Sequence, residues 1–108
     1  MNDVYIGKGK LSGKGVYAAR DFKVSEVVIQ YHLQALIKDE YKKLSREERR
    51  FTHSHGGTIY LYAEPERYVN HSNNPNTYQD LLKKQDIALR NIKQDEEITG
   101  DATKDDVS

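Results

Sequence analysis

Residues 67 to 77 read RYVNHSNNPNT, and four asparagines, a histidine, a serine and a proline fall within those eleven positions. Asparagine supplies N–H donors and a carbonyl acceptor, and a neutral histidine adds one of each. Asn70 and His71 are adjacent, so in an extended chain their side chains face opposite sides. Their backbone groups could then serve a ligand while the side chains lock the local fold. Asn74-Pro75 biases the chain toward a turn. The same composition suits an asparagine-rich turn that closes its own hydrogen bonds, and this segment alone leaves both readings open.

A second candidate is SGKGVYAARDF at 12–22, where Gly13 and Gly15 bracket Lys14 just before a strand pattern. Glycine permits positive φ and a close approach of backbone to a ligand, or simply a tight turn. The stretch is not a dinucleotide fingerprint, because no helix pattern follows, and it lacks the Lys-Ser/Thr ending of a phosphate-binding loop. His53, His55 and His71 stand at no convincing metal-ligand spacing with a carboxylate, so no metal site is expected. Glu96 and Glu97 read as turn and edge residues, not as an acid/base pair.

The elements that must position these residues are short and mostly β. VYIG at 4–7 and GVYAAR at 15–20 flank a glycine- and lysine-rich turn, EVVIQYHLQALI at 26–37 reads as one or two strands, and TIYLYA at 58–63 as another. IALRNI at 87–92 and EEIT at 96–99 read as a final strand pair. One short helix is expected over 39–51, which holds no glycine or proline and carries a capping-box pattern from Ser45 to Glu48. Ala18, Arg20, Lys23 and Glu26 recur as Ala88, Arg90, Lys93 and Glu96, which predicts two similar β corners.

Composition narrows the class. The chain's 108 residues suit one domain, with 103–108 reading as a frayed tail. Lysine and arginine total 17 and so do aspartate and glutamate, so no nucleic-acid partner is expected. There is no cysteine, which excludes disulfides, thiolate zinc sites and cysteine nucleophiles. With no apolar leader and no apolar run of membrane-spanning length, the reading is an intracellular protein, cytoplasmic or nuclear, with no membrane partner.

Three segments, taken in order, resemble the SET-domain family. GKGVYAARDFKVSEVV is similar to the family's G-x-G-V-[FY]-A-x-[RK]-D opening, RYVNHSNNPN to its R-[FY]-x-N-H-S-C-x-P-N segment, and IALRNIKQDEEIT to its A-x-[RK]-[DN]-I-x-x-G-E-E-[IL]-T segment. The resemblance covers roughly residues 4 to 101, with Asn73 at the usual cysteine. It implies a mainly β fold of the β-clip, SET-like kind: several small curved sheets, with a C-terminal pseudoknot. It also implies methyl transfer from S-adenosylmethionine to the side-chain amine of a protein lysine.

By that resemblance Lys14, Gly15, Val16 and Tyr17 contact the cofactor, and Arg67, Asn70 and His71 line its pocket and the knot. Tyr60, Tyr62 and Tyr68 are candidates for the catalytic lysine channel, with ordinary strand packing expected for at least one. The partner implied is a lysine-containing protein or peptide, and a homodimer is left open. The family pattern usually continues E-E-[IL]-T-[YF]-D-Y, whereas this chain reads EEITGDAT, with Gly100 and Ala102 at the aromatic positions. A catalytically silent module that binds cofactor or peptide is therefore the alternative. Ser25 and Asp95 stand at the usual turn glycines, where a type I turn would accept them.

Overall fold

A computed structural model describes residues 3–10 and 13–101, so Ala102 and the expected tail lie outside the described residues. The first sheet takes β1 (Val4–Lys8) and β2 (Lys14–Ala18) from the N-terminal half. Two strands from the far end of the chain complete it, β7 (Asn70–His71) and β10 (Glu97–Gly100), in the order β1-β2-β10-β7. The second sheet orders β3 (Val27–Gln30), β9 (Gln85–Ala88) and β8 (Thr77–Asp80), and the third orders β4 (Gln34–Leu36), β6 (Thr58–Leu61) and β5 (Thr52–His55). This is the mainly β, several-sheet fold the sequence predicts. The apolar run over 26–37 is two strands, parted at Tyr31.

The core lies where the first two sheets meet. Val16 and Ala18 of β2, Ile98 of β10, Val28 and Ile29 of β3 and Ala88 of β9 close around Phe22 and Ile92. Val28 and Ile29 are consecutive yet both buried, because the β3–β9 register shifts between Val27 and Ile29 and turns both side chains inward. Burial of side chains as large as Phe22 and Ile92 contributes about 1.5–3 kcal/mol each.

The predicted repeat is a pair of matching corners. The backbones of Phe22 and Ile92 exchange hydrogen bonds of 2.7 and 2.9 Å, forming a bridge about which the corners pair. Ser25 donates its N–H to Ala88 O at 2.8 Å, and Asp95 donates its N–H to Ala18 O at 2.7 Å. Lys23 N–H is capped by Glu26 Oε1 at 2.8 Å and Lys93 N–H by Glu96 Oε1 at 3.2 Å. Each corner carries the chain between sheets, so β9 and β10 do not pair with each other: β9 belongs to the second sheet and β10 to the first.

The turns are not type I. Ser25 and Asp95 sit at φ 74° and 70°, the left-handed region that a Cβ disfavours. Ser25→Gly should therefore raise stability by about 0.5–1 kcal/mol and the Tm by a few degrees, read by thermal denaturation. Asp95 is the poorer test site because its carboxylate accepts the Tyr5 hydroxyl at 2.8 Å.

The single helix expected over 39–51 is two short ones, α1 (Lys38–Lys43) and α2 (Arg46–Arg49). Leu44 and Ser45 are extended between them, and Ser45 Oγ accepts the Glu48 N–H at 3.1 Å, restarting the helix as its N-cap. The other half of the capping box is missing, because the Glu48 carboxylate reaches Arg67 instead.

The C-terminal strand is clasped on both sides, as a pseudoknot requires. β10 pairs antiparallel with β2 and parallel with β7, through Thr99 opposite Asn70 and Gly100 opposite His71. The loop after β7 then grips it through Ser72 N–H to Gly100 O at 2.9 Å, and the first residue of β8 through Thr77 Oγ1 to Thr99 O at 2.7 Å. This clasp brings residues some eighty positions apart into one sheet and sets the geometry of the site.

Candidate functional site

Two adjoining hollows open beside the clasp. The larger, of about 500 Å³, is lined by Gly13 and Lys14 at the start of β2, Arg67 and Tyr68 from a single 3₁₀ turn at Glu66–Tyr68, Asn70 of β7, and Glu47, Glu48, Arg50 and Phe51 after α1. The Lys14 ammonium lies 5.0 Å from the centre of the Tyr68 ring, and Phe51 meets the same ring edge-on at 5.7 Å. Two of the three family-like segments, those around Lys14 and Asn70, thus contribute to one cavity, together with the predicted helical stretch that ends at Phe51.

Asn70 ties these elements together. Its side-chain amide donates to Lys14 O at 3.1 Å and to Glu97 Oε2 at 2.9 Å. One residue therefore joins β7, β2 and β10. Glu97 is not the edge residue expected: it is 8% exposed, on a strand flanked on both sides. Its carboxylate occupies the space beside Gly15, where a Cβ would stand 2.6 Å from Glu97 Oε2. So the close approach that Gly15 permits is to Glu97. Glu96 is the turn residue expected. Burial works against its charge, but the Asn76 amide, the Lys93 N–H and Arg90 outweigh it and hold the carboxyl below the usual range.

Arg67 is a structural post between the hollows. Its Nε donates to Tyr62 O at 2.8 Å, and its two terminal nitrogens meet the Glu48 carboxylate at 3.2 and 3.4 Å. Its guanidinium lies over Phe51 at 4.5 Å. The remaining predicted cofactor contacts divide differently. Val16 is fully buried in the core, and Tyr17 packs on Tyr5 at 5.6 Å with its hydroxyl donated to Lys8 O, so neither side chain lines the larger hollow. His71 is exposed, bonds Asn73 Oδ1 at 3.1 Å, and reaches the smaller hollow.

That smaller hollow, of about 140 Å³, shares Arg50, Phe51, Arg67 and Asn70 with the larger one. It is further lined by His53, Tyr62, Glu66, Val69, Gln79, Asp86 and Gly100. Tyr62 is buried, bonds His55 Nε2 at 2.8 Å and packs 5.6 Å from Tyr31. Tyr31 donates its hydroxyl to Asp86. The structure does not gather Tyr60, Tyr62 and Tyr68: Tyr62 faces the smaller hollow, Tyr68 the larger, and Tyr60 neither. Tyr60 packs against His55 and Lys84, as strand packing would have it.

Sequence reasoning missed Tyr31, Glu66, Gln79, Asp86 and Glu97. None carries a local mark: Asp86 follows Lys83, Lys84 and Gln85 and stands just outside the apolar pattern read over 87–92.

The SET domain profile matches residues 13–101. The human histone-lysine N-methyltransferase 2D is 31% identical over 93% of this chain, and the trr histone-lysine N-methyltransferase of Drosophila melanogaster is 30% identical over 76% of it. The chain spans only 2% and 4% of the lengths of those relatives. A solved structure of a candidate histone methyltransferase from Plasmodium falciparum superposes with a TM-score of 0.73 at 22% identity, covering 94% of each chain, which shows the shared fold. Among the described residues, no helix is long and apolar enough to cross a membrane.

Proposed function

The chain belongs to the SET-domain family, and on that premise we propose that it transfers a methyl group from S-adenosylmethionine to the side-chain amine of a protein lysine. The observation that carries this reading is the convergence of Gly13, Lys14, Arg67, Tyr68 and Asn70 on one hollow. Its volume of about 500 Å³ lies within the roughly 300–1,000 Å³ of small-molecule sites.

The donor set fits the methyl donor chemically. S-adenosylmethionine supplies an electrophilic methyl on a cationic sulfonium. Lys14 offers an ammonium to a carboxylate and Glu47 a carboxylate to an amine, while Phe51 and Tyr68, which already carry the Arg67 and Lys14 cations, supply aromatic wall. Asn70 fixes Lys14 O and so the shape of the Gly13–Gly15 loop. Methyl transfer is an in-line displacement, so the chain's main task is alignment of two bound groups. The two hollows meeting at Arg50, Phe51, Arg67 and Asn70 suit that task. The names of the relatives point first to histones among protein substrates.

Calorimetric titration with S-adenosylmethionine, followed by label transfer to histones and to a whole-cell protein extract, tests the reading. Saturable binding with lysine-borne label is the expected result. Absence of binding would remove the proposal. Binding without transfer to either substrate would favour the silent module instead, the reading to which Gly100 points.

A further inference from the structure

The smaller hollow holds a buried acid that the methyl-donor site does not use. Asp86 is 2% exposed, in the middle of a sheet, and accepts the hydroxyl of Tyr31. On the same wall Gln79 Oε1 is buried with no hydrogen-bond partner. Buried polar groups are normally satisfied, so an acceptor left over beside a buried carboxylate marks a place for a donor. At about 140 Å³ the space is too small for a nucleoside and suits an alkylamine. Among the described residues of the C-terminal strand Gly100 alone reaches this wall, and it brings no side-chain acceptor.

We infer that Asp86 receives the amine of the target lysine, binding it as an ammonium and taking its first proton, with Tyr31 as the positioning residue that aims the carboxylate. This rests on the methyl-transfer reading above. The charged and titratable side chains around the hollow are Glu66, His53, Tyr62, Arg50, Arg67 and His71. Glu66 is held by the backbone N–H of His32, and Arg67 is held by Glu48.

One N–H bond of the lysine ammonium breaks and its proton passes to the Asp86 carboxylate. Removal of the amine from water beside a cationic methyl donor weakens its hold on that proton. The freed nitrogen lone pair forms the N–C bond to the methyl group. The S–C bond breaks with its electron pair left on sulfur, giving a neutral thioether. The product is a methylated ammonium, and the proton on Asp86 leaves to solvent.

Asp86→Asn in the full chain is the test, since the amide oxygen still accepts the Tyr31 hydroxyl and a thermal melt checks the fold. Transfer is expected to fall about 10²–10³-fold at neutral pH. The deficit should shrink toward pH 10, where a lysine of pKa about 10.4 sheds its own proton. Binding of S-adenosylmethionine should stay unchanged. Tyr31→Phe should lower transfer by a smaller factor. A pH-independent deficit, or none, would overturn the inference. A second readout needs no turnover: n-butylammonium titrated by NMR should bind the parent chain and bind Asp86→Asn at least tenfold more weakly, with 1-pentanol indifferent to the change. Equal binding by both, or none by the parent, sinks the amine site alone. If S-adenosylmethionine fails to bind while butylammonium still binds through Asp86, the methyl-transfer reading fails and the amine site stands.

Discussion

Asn76→Ala should destabilise the chain by about 3 kcal/mol or more, a large share of the roughly 5–15 kcal/mol that holds a domain folded. Asn76 is 1% exposed, and its side chain makes every bond an amide can usefully make here. Its Nδ2 donates to Glu97 O at 2.8 Å and to Glu96 Oε2 at 3.0 Å, while its Oδ1 accepts the Thr99 N–H at 2.8 Å. Alanine would leave a buried carbonyl and a buried N–H without partners, on the strand that closes the clasp. Denaturant unfolding measures the loss, and hydrogen exchange at the Thr99 amide should report it locally. Asn76→Asp should do no better, since it keeps the acceptor but removes the donors and faces Glu96.

The same variant carries a pH signature. The carboxyl of Glu96 is held below its usual range in the folded chain, with Asn76 the foremost of the partners that lower it. A lowered folded value means that the contribution is present above the unfolded pKa, about 4.3, and is lost as pH falls through the folded value. Asn76→Ala forfeits part of a stabilisation that the parent itself loses in acid. The gap between the two proteins should therefore narrow below pH 4. A gap that stays constant would show that the Glu96 bond contributes nothing measurable.

How far the sequence reached follows from which residues act locally. The two corners were legible because each is a short unit: a small residue, a basic residue, a turn and a capping glutamate within nine positions. β1, β2 and β6 were legible from apolar and aromatic patterning. β5 and β8 were not, because THSH and TYQD look like loop. Their polar residues are satisfied by partners that only the fold provides, as Thr77 is by Thr99 O. The break at Leu44 was half visible, since Ser45 to Glu48 reads as a cap, but the pull of Arg67 on Glu48 comes from nineteen positions away. Among the candidate site residues, Lys14, Arg67, Tyr68 and Asn70 do meet at one hollow, while Val16 and Tyr17 show the limit of reading a motif as a unit. On β2, Val16 turns to the core and Tyr17 to the face that carries Tyr5, so only the start of the motif reaches the hollow.

Gly15→Ala should weaken binding of the methyl donor at least tenfold and lower stability by about 1–3 kcal/mol. The added Cβ would stand 2.6 Å from Glu97 Oε2, 3.2 Å from Gly9 Cα and 3.3 Å from Asn70 Nδ2. None of the three can yield cheaply. Gly9 Cα is backbone, the Glu97 carboxylate is buried and bonded to Asn70, and Asn70 is also bonded to Lys14 O. Relief therefore moves β10 or the Lys14 loop, and either distorts the larger hollow. Gly13→Ala separates this clash from ordinary glycine strain. Gly13 has φ +64° and nothing within 4 Å of its added Cβ, so it should cost about 1–2 kcal/mol through backbone conformation alone. A double-mutant cycle supplies the decisive comparison. With Glu97→Ala in place, the penalty of Gly15→Ala should shrink by more than 0.5 kcal/mol, because the nearest obstacle has gone, while the penalty of Gly13→Ala should not change. Additive penalties at Gly15 and Glu97 would show that the two do not meet as drawn, and that Asn70 holds the loop without help from the C-terminal strand.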